Sequence, residues 1–120
     1  MKDKRLFILL HLILFLIICI ACPKKEEESR SITVILKNSG TEAVHIFLEG
    51  QTINENNLVP PGKTKTTSFL AKSIGHKVSF YVSKDDVVIF TTNCAVSQSS
   101  WESRQAEVEW TGEALLCASW

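Results

Sequence analysis

From Ser31 to the end, the chain alternates short apolar runs with polar turns. That two-residue period is the signature of half-buried strands. Ile32–Lys37 places Ile32, Val34 and Leu36 on one face. Asn38-Ser39-Gly40-Thr41 offers a turn, since Asn and Gly tolerate positive φ. Ala43–Glu49 then places Val44, Ile46 and Leu48 on one face and His45 and Phe47 on the other, so these two runs are expected to pair as a hairpin. Gly50–Leu58 is polar around Asn54-Glu55-Asn56-Asn57. Val59-Pro60-Pro61-Gly62 turns the chain, because proline presets φ and glycine permits the reversal.

Lys63–Leu70 is a strand of lysines and threonines, as suits a sheet edge, where charge discourages further pairing. Val78, Phe80 and Val82 alternate with Ser79, Tyr81 and Ser83, and Lys84-Asp85-Asp86 reverses the chain. Val87–Thr92 is apolar on both faces and is expected to lie centrally in a sheet. Ala95–Gln105 reads as a long polar loop around Trp101. Ala106, Val108 and Trp110 form a further strand opposite Glu107 and Glu109, and Ala114–Ala118 forms the last. About seven strands and no amphipathic helix in this region predict an all-β fold. The expectation is a small antiparallel β-sandwich, immunoglobulin-like, over residues 31–120.

The first thirty residues follow other rules. Met1–Arg5 is a basic head, and Leu6–Ala21 is apolar apart from His11. A small residue and then the polar block Pro23–Glu28 end the run. These are the parts of an export signal with an apolar helix, and the run is short for a spanning helix, which needs roughly 20 residues. Residues 1–21 are therefore expected to be a signal peptide and residues 22–30 a charged tether.

The tetrad Cys19-Ile20-Ala21-Cys22 resembles the lipobox of bacterial lipoprotein precursors. Ala21 matches the small residue before the cut, while Cys19 stands where leucine is usual. The resemblance implies cleavage before Cys22 and fatty acylation, palmitate included, on Cys22. Each buried methylene contributes about 0.8 kcal/mol, so two or three chains hold a protein at a membrane essentially permanently. The implied location is the bacterial cell membrane or outer membrane, with the domain outside the cytoplasm.

Removing residues 1–21 leaves 10 basic and 12 acidic side chains, a net charge of −2 with His neutral. That lacks the basic footprint of a nucleic-acid binder. It also leaves Cys94 and Cys117 as an even pair in an exported domain, which predicts a disulfide.

No reaction is written in the remaining residues. His45 and His76 stand in no metal-ligating spacing, so no metal and no cofactor is expected. No G-x-S-x-G turn presents a nucleophile. Glu107 and Glu109 suit a solvated strand face, and Asn54–Asn57 only loosely imitates a calcium loop. The expectation is a non-enzymatic binding or structural domain of the cell envelope with an unidentified protein partner. Trp101 is the candidate binding residue. Two weaker candidates are the Asn-rich loop 51–58 and the Lys63–Ser68 edge, which could accept a partner strand. The alternative is a lipoprotein inhibitor whose 95–105 loop plugs a hydrolase.

Overall fold

The computed structural model describes residues 28–120, so the expected signal peptide, Cys22 and most of the tether lie outside the described residues. Eight strands build two four-stranded sheets. They are β1 (Arg30–Asn38), β2 (Val44–Leu48), β3 (Leu58–Val59), β4 (Thr64–Ala71), β5 (Lys77–Lys84), β6 (Val87–Ala95), β7 (Gln105–Trp110) and β8 (Leu115–Ser119). One sheet has the order β4-β1-β7-β8 and the other β3-β2-β5-β6. All pairings are antiparallel except β1 with β7, which is parallel. The sandwich therefore matches the expected class, with one more strand than the pattern suggested, since two-residue β3 is too short to show a period.

The alternating faces close on each other as expected. Ile32, Val34 and Leu36 from β1 are buried with Val44, Ile46 and Leu48 from β2 and with Val78, Phe80 and Val82 from β5. Ala106, Val108 and Trp110 complete the core from β7. Trp120 closes the core near β4, stacked on Phe69 with its edge toward Phe80.

Three expectations are corrected. First, β1 and β2 do not form a hairpin, because they lie in opposite sheets. An apolar face can be buried by a strand beside it or by a sheet across from it, and alternation alone cannot distinguish the two. The connector is held by Asn38, which ends β1 fully buried rather than sitting in a turn. Its Nδ2 donates to Glu42 O (2.8 Å) and Val59 O (2.9 Å), and its Oδ1 accepts from Gly40 N–H (2.9 Å). Its backbone N–H donates to Lys63 O and its carbonyl accepts from Gly62 N–H. Gly40 is not at positive φ, but a Cβ there would lie 3.1 Å from Asn38 Oδ1 and 3.2 Å from Gly112 Cα. Close approach, not turn geometry, requires that glycine. Gly62, at φ +74, does take the positive-φ place of the proline turn, whose Lys63 N–H donates to Pro60 O.

Second, Val87–Thr92 is not central, because β6 is the outer strand of its sheet. A bulge between Val82 and Ser83 shifts its register on β5. Third, part of the expected 95–105 loop is a short helix, α1 (Gln98–Ser103). Ser97 and Ser100 cap its start reciprocally, each hydroxyl accepting the other's backbone N–H. Arg104 ends it in the left-handed region at φ 56.

β1 starts and β4 ends at one end of the sandwich, where α1 and the β4–β5 connector also lie. We call this the entry end, because the chain enters the fold there at Arg30. The far end carries the Asn38 node and the Asp85-Asp86 turn, whose two residues sit at φ 51 and 62. Glu42 in the β1–β2 connector pairs with Lys84 at the end of β5. The Glu42 carboxylate raises the Lys84 pKa above its ordinary value, chiefly by hydrogen bonding and then by charge.

The expected disulfide is present. Cys94 on β6 and Cys117 on β8 are bonded with their Cα atoms 5.8 Å apart, so the bond joins the two sheets along one side. Closing a loop of 23 residues is worth about 3 kcal/mol in the chain-entropy picture. Cys94→Ser and Cys117→Ser should each lower the melting temperature by a comparable amount, and the double variant should be no worse than either. Non-reducing mass spectrometry that finds two free thiols in the native protein would sink the pairing. At the other side of the fold, Asn38→Ala removes three side-chain hydrogen bonds from a buried site, at about 1 kcal/mol each. For a domain of this size its melting temperature should fall by about 10 °C or more. Thermal denaturation followed by circular dichroism reads this directly, and an unchanged midpoint counts against it.

Candidate functional site

The polar groups that the sequence offers for chemistry are mostly engaged in holding the fold. His45 lies half-buried on the outer face of its sheet, with Nδ1 2.9 Å from Asn57 Oδ1. Asn57 Oδ1 also accepts from Asn54 N–H, while its Nδ2 donates to Thr52 O. That orientation makes Oδ1 the acceptor, so His45 Nδ1 carries the proton. Asn54 Oδ1 in turn accepts from Asn56 N–H and caps a 3-10 turn at Glu55–Asn57. The Asn-rich loop thus spends much of its amide chemistry on itself. His76 Nδ1 accepts from Lys72 N–H, and its ring tilts against Phe69. His45 pairs with Ser83 toward the far end, whereas His76 precedes β5 at the entry end. Among the described residues, no three His, Cys, Asp or Glu side chains converge as a metal site would require.

Sequence reasoning passed over Ser83. It is His45's cross-strand neighbour, so Ser83, His45 and Asn57 stand in the order of a hydrolase triad. The hydroxyl, however, is fully buried and has no hydrogen-bond partner. A nucleophile needs both a base at hydrogen-bond distance and access to substrate, and Ser83 has neither. The two glutamates of β7 are likewise occupied or dispersed. Glu109 accepts from Ser39 Oγ (2.9 Å) and pairs with Lys37 (3.4 Å), while Glu107 lies beside Ser119 in the register.

Trp101 sits in α1 at the entry end, half-buried against the core. The Arg30 guanidinium lies 4.8 Å from the indole centroid and donates from Nη1 to Trp101 O. This cation–π contact pins the first residue of β1 to α1. The side chain is a clamp where the chain enters, and α1 is capped at both ends rather than projecting.

Two adjoining open clefts run along β4. One, of about 390 Å³, is lined by Gln51, Asn54, Asn56, Thr66 and Thr67. The other, of about 470 Å³, is lined by Leu48, Phe69, Leu70, His76 and Val78. Gln51 Nε2 donates to Thr67 Oγ1 between them. Glu49, Ser68 and Lys77 also line the second cleft, where His76 Nδ1 is taken up by Lys72 N–H.

The sheet edges differ more sharply. β3 has two residues, and β4 carries Lys65 among threonines, as expected of an edge. β8 is five residues long and is tied down by Cys117. β6 has nine residues and opens with Val87, Val88 and Ile89, which are 61%, 48% and 48% exposed. No proline or lysine interrupts this strand, and its one irregularity is the bulge at Ile89. An apolar edge of this kind is what folded proteins normally blunt. The sequence does contain the signal, a β-branched run directly after an Asp-Asp turn, but burial on both faces was the simpler reading. The open edge of β6 is the candidate functional site.

No family model, no curated protein and no solved structure matches this chain.

The buried, unpartnered Ser83 hydroxyl gives a prediction. An unsatisfied buried hydroxyl costs about 1 kcal/mol or more, so Ser83→Ala should stabilise the fold and raise the melting midpoint by several degrees. A loss of stability would mean that the hydroxyl has a partner in solution.

Proposed function

We propose that this protein is a lipid-anchored binding module of the bacterial cell envelope that carries out no reaction of its own. Cys22 bears the acyl chains, and the expected tether of residues 22–30 leaves 23–29 between that cysteine and β1, which begins at Arg30, so that the sandwich is held outside the cytoplasm. The observation that carries the reading is where the apolar edge lies. Val87, Val88 and Ile89 begin β6 next to the Asp85-Asp86 turn, at the end opposite Arg30. Seven extended residues span at most about 25 Å, so a domain on this leash stays close to the membrane. The β6 edge runs along the flank of the sandwich, and its apolar start lies clear of the attachment point at Arg30, where a partner can reach it. Trp101 lies at the entry end beside the attachment point and is engaged with Arg30, which favours β6 over Trp101 as the recognition surface.

The absence of enzymatic activity is supported by the residues themselves. Both histidines are hydrogen-bonded into the fold, and the hydroxyl beside His45 is sealed from solvent. The inhibitor reading needs residues 95–105 as a projecting plug, and the short capped helix clamped to Arg30 gives it no support.

The anchor is tested by metabolic labelling. Wild-type protein should incorporate fatty acid and run as a processed form. Cys22→Ala should incorporate none and accumulate as precursor. A mature but unlabelled wild type, or a labelled variant, would overturn the lipid anchor.

A further inference from the structure

We infer that the partner of the β6 edge is a second copy of this chain, joined antiparallel about a two-fold axis near Phe90. The inference rests on the binding-module reading above and specifies its partner. Pairing β6 with β6 would extend the β3-β2-β5-β6 sheet across the axis into eight strands. It would also give the exposed Val87, Val88 and Ile89 side chains apolar and threonine neighbours, Thr91 and Thr92 of the second copy among them.

Two features of the edge make it complementary to itself. A two-fold contact places one end of the strand against the other end of its copy. At the start of β6, Asp85 and Asp86 carry two negative charges, exposed and without an ion pair among the described residues. At the end of β6, Lys77 lies one strand inward, directly across from Ala95, and is also exposed and unpaired among the described residues. Ile89 is the extra residue of the β6 bulge, so the spacing is read along β5 and into its turn, where Lys77 and Asp85 each lie four residues from Tyr81, the partner of Thr91. A two-fold close to Phe90 and Thr91 brings the Asp85-Asp86 turn of each copy to the Lys77 of the other. A parallel pairing would instead set the Asp turns against each other.

Within one chain the contact is impossible. Lys77 and Lys84 bound β5, so Lys77 and Asp85 lie at opposite ends of an eight-residue strand, roughly 25 Å apart at about 3.3 Å per residue. A bond between Lys77 and Asp85 or Asp86 can therefore form only between copies.

The test is zero-length carbodiimide cross-linking of the full-length protein in detergent micelles, read by gel and by peptide mass spectrometry. The expected result is a covalent dimer containing a Lys77–Asp85 or Lys77–Asp86 cross-link. Val88→Lys should reduce the dimer at least tenfold, since it puts a charge in the middle of the contact. Leu116→Lys, at an equally exposed apolar position on β8, should leave it unchanged. Lys77→Glu should also weaken association, and sedimentation should show that raised salt weakens the wild type. A wild type that stays monomeric at all concentrations overturns the inference, as does a dimer whose cross-links avoid these residues or that survives Val88→Lys. If the wild type is monomeric yet a different envelope protein cross-links through Asp85 or Asp86 and is lost in Val88→Lys, the second copy is wrong while the binding-module reading stands.

Discussion

The buried amide of Asn38 is the constraint on which the rest of this sandwich depends. The chain leaves β1 in one sheet and must start β2 in the other within five residues. That short crossing brings the carbonyls of Glu42 and Val59 and the N–H of Gly40 onto the buried Asn38 side chain. Asn38 answers all three, and its own backbone pairs with the Gly62–Lys63 corner. One side chain thereby ties the β1–β2 crossing to the β3–β4 crossing. A buried polar group costs least when its hydrogen bonds are made, and the Asn38 amide makes both of its donor bonds and accepts a third. The close approach of Gly40 to Gly112 follows from the same crowding.

Asn38 secures the layers on the β3 and β4 side, and the Cys94–Cys117 bond secures them on the β6 and β8 side. A domain of about ninety residues buries a modest core, so a covalent tie between its layers is a physically reasonable addition. The tie sits toward the entry end of β6, near α1 and the Arg30–Trp101 clamp. The far half of β6 has no such restraint. There the bulge and the Asp85-Asp86 turn present three exposed apolar residues in a row. The apolar edge is thus the part of the sandwich that neither fastening covers.

The same economy accounts for the use of the polar side chains among the described residues. Histidine, asparagine and serine side chains that might have formed a site are used to close loops around two short, irregular segments, 51–58 and 95–105. Small sandwiches have few regular hydrogen bonds in such connections, and side chains take their place. What remains for function is surface, and on this surface the strand edge is the feature without a structural explanation of its own.

The sequence by itself determined seven of the eight strands, their inward faces and the pair of cysteines. Ile32, Val34, Leu36, Val44, Ile46, Leu48, Val78, Phe80 and Val82 could be assigned to the core because strand alternation is local and survives any topology. Lys65 and its threonine neighbours marked β4 as an edge for the same local reason. Only the tertiary structure decided which strands share a sheet. It sent β1 and β2 to opposite layers, made Val87–Ile89 an exposed edge instead of a centre, and turned Asn38 from a turn residue into a buried node. Each of these depends on which distant segment arrives alongside, through contacts such as Asn38 with Val59 or Arg30 with Trp101 that lie 21 and 71 residues apart in the chain. A two-residue period records that a face is buried but not what buries it.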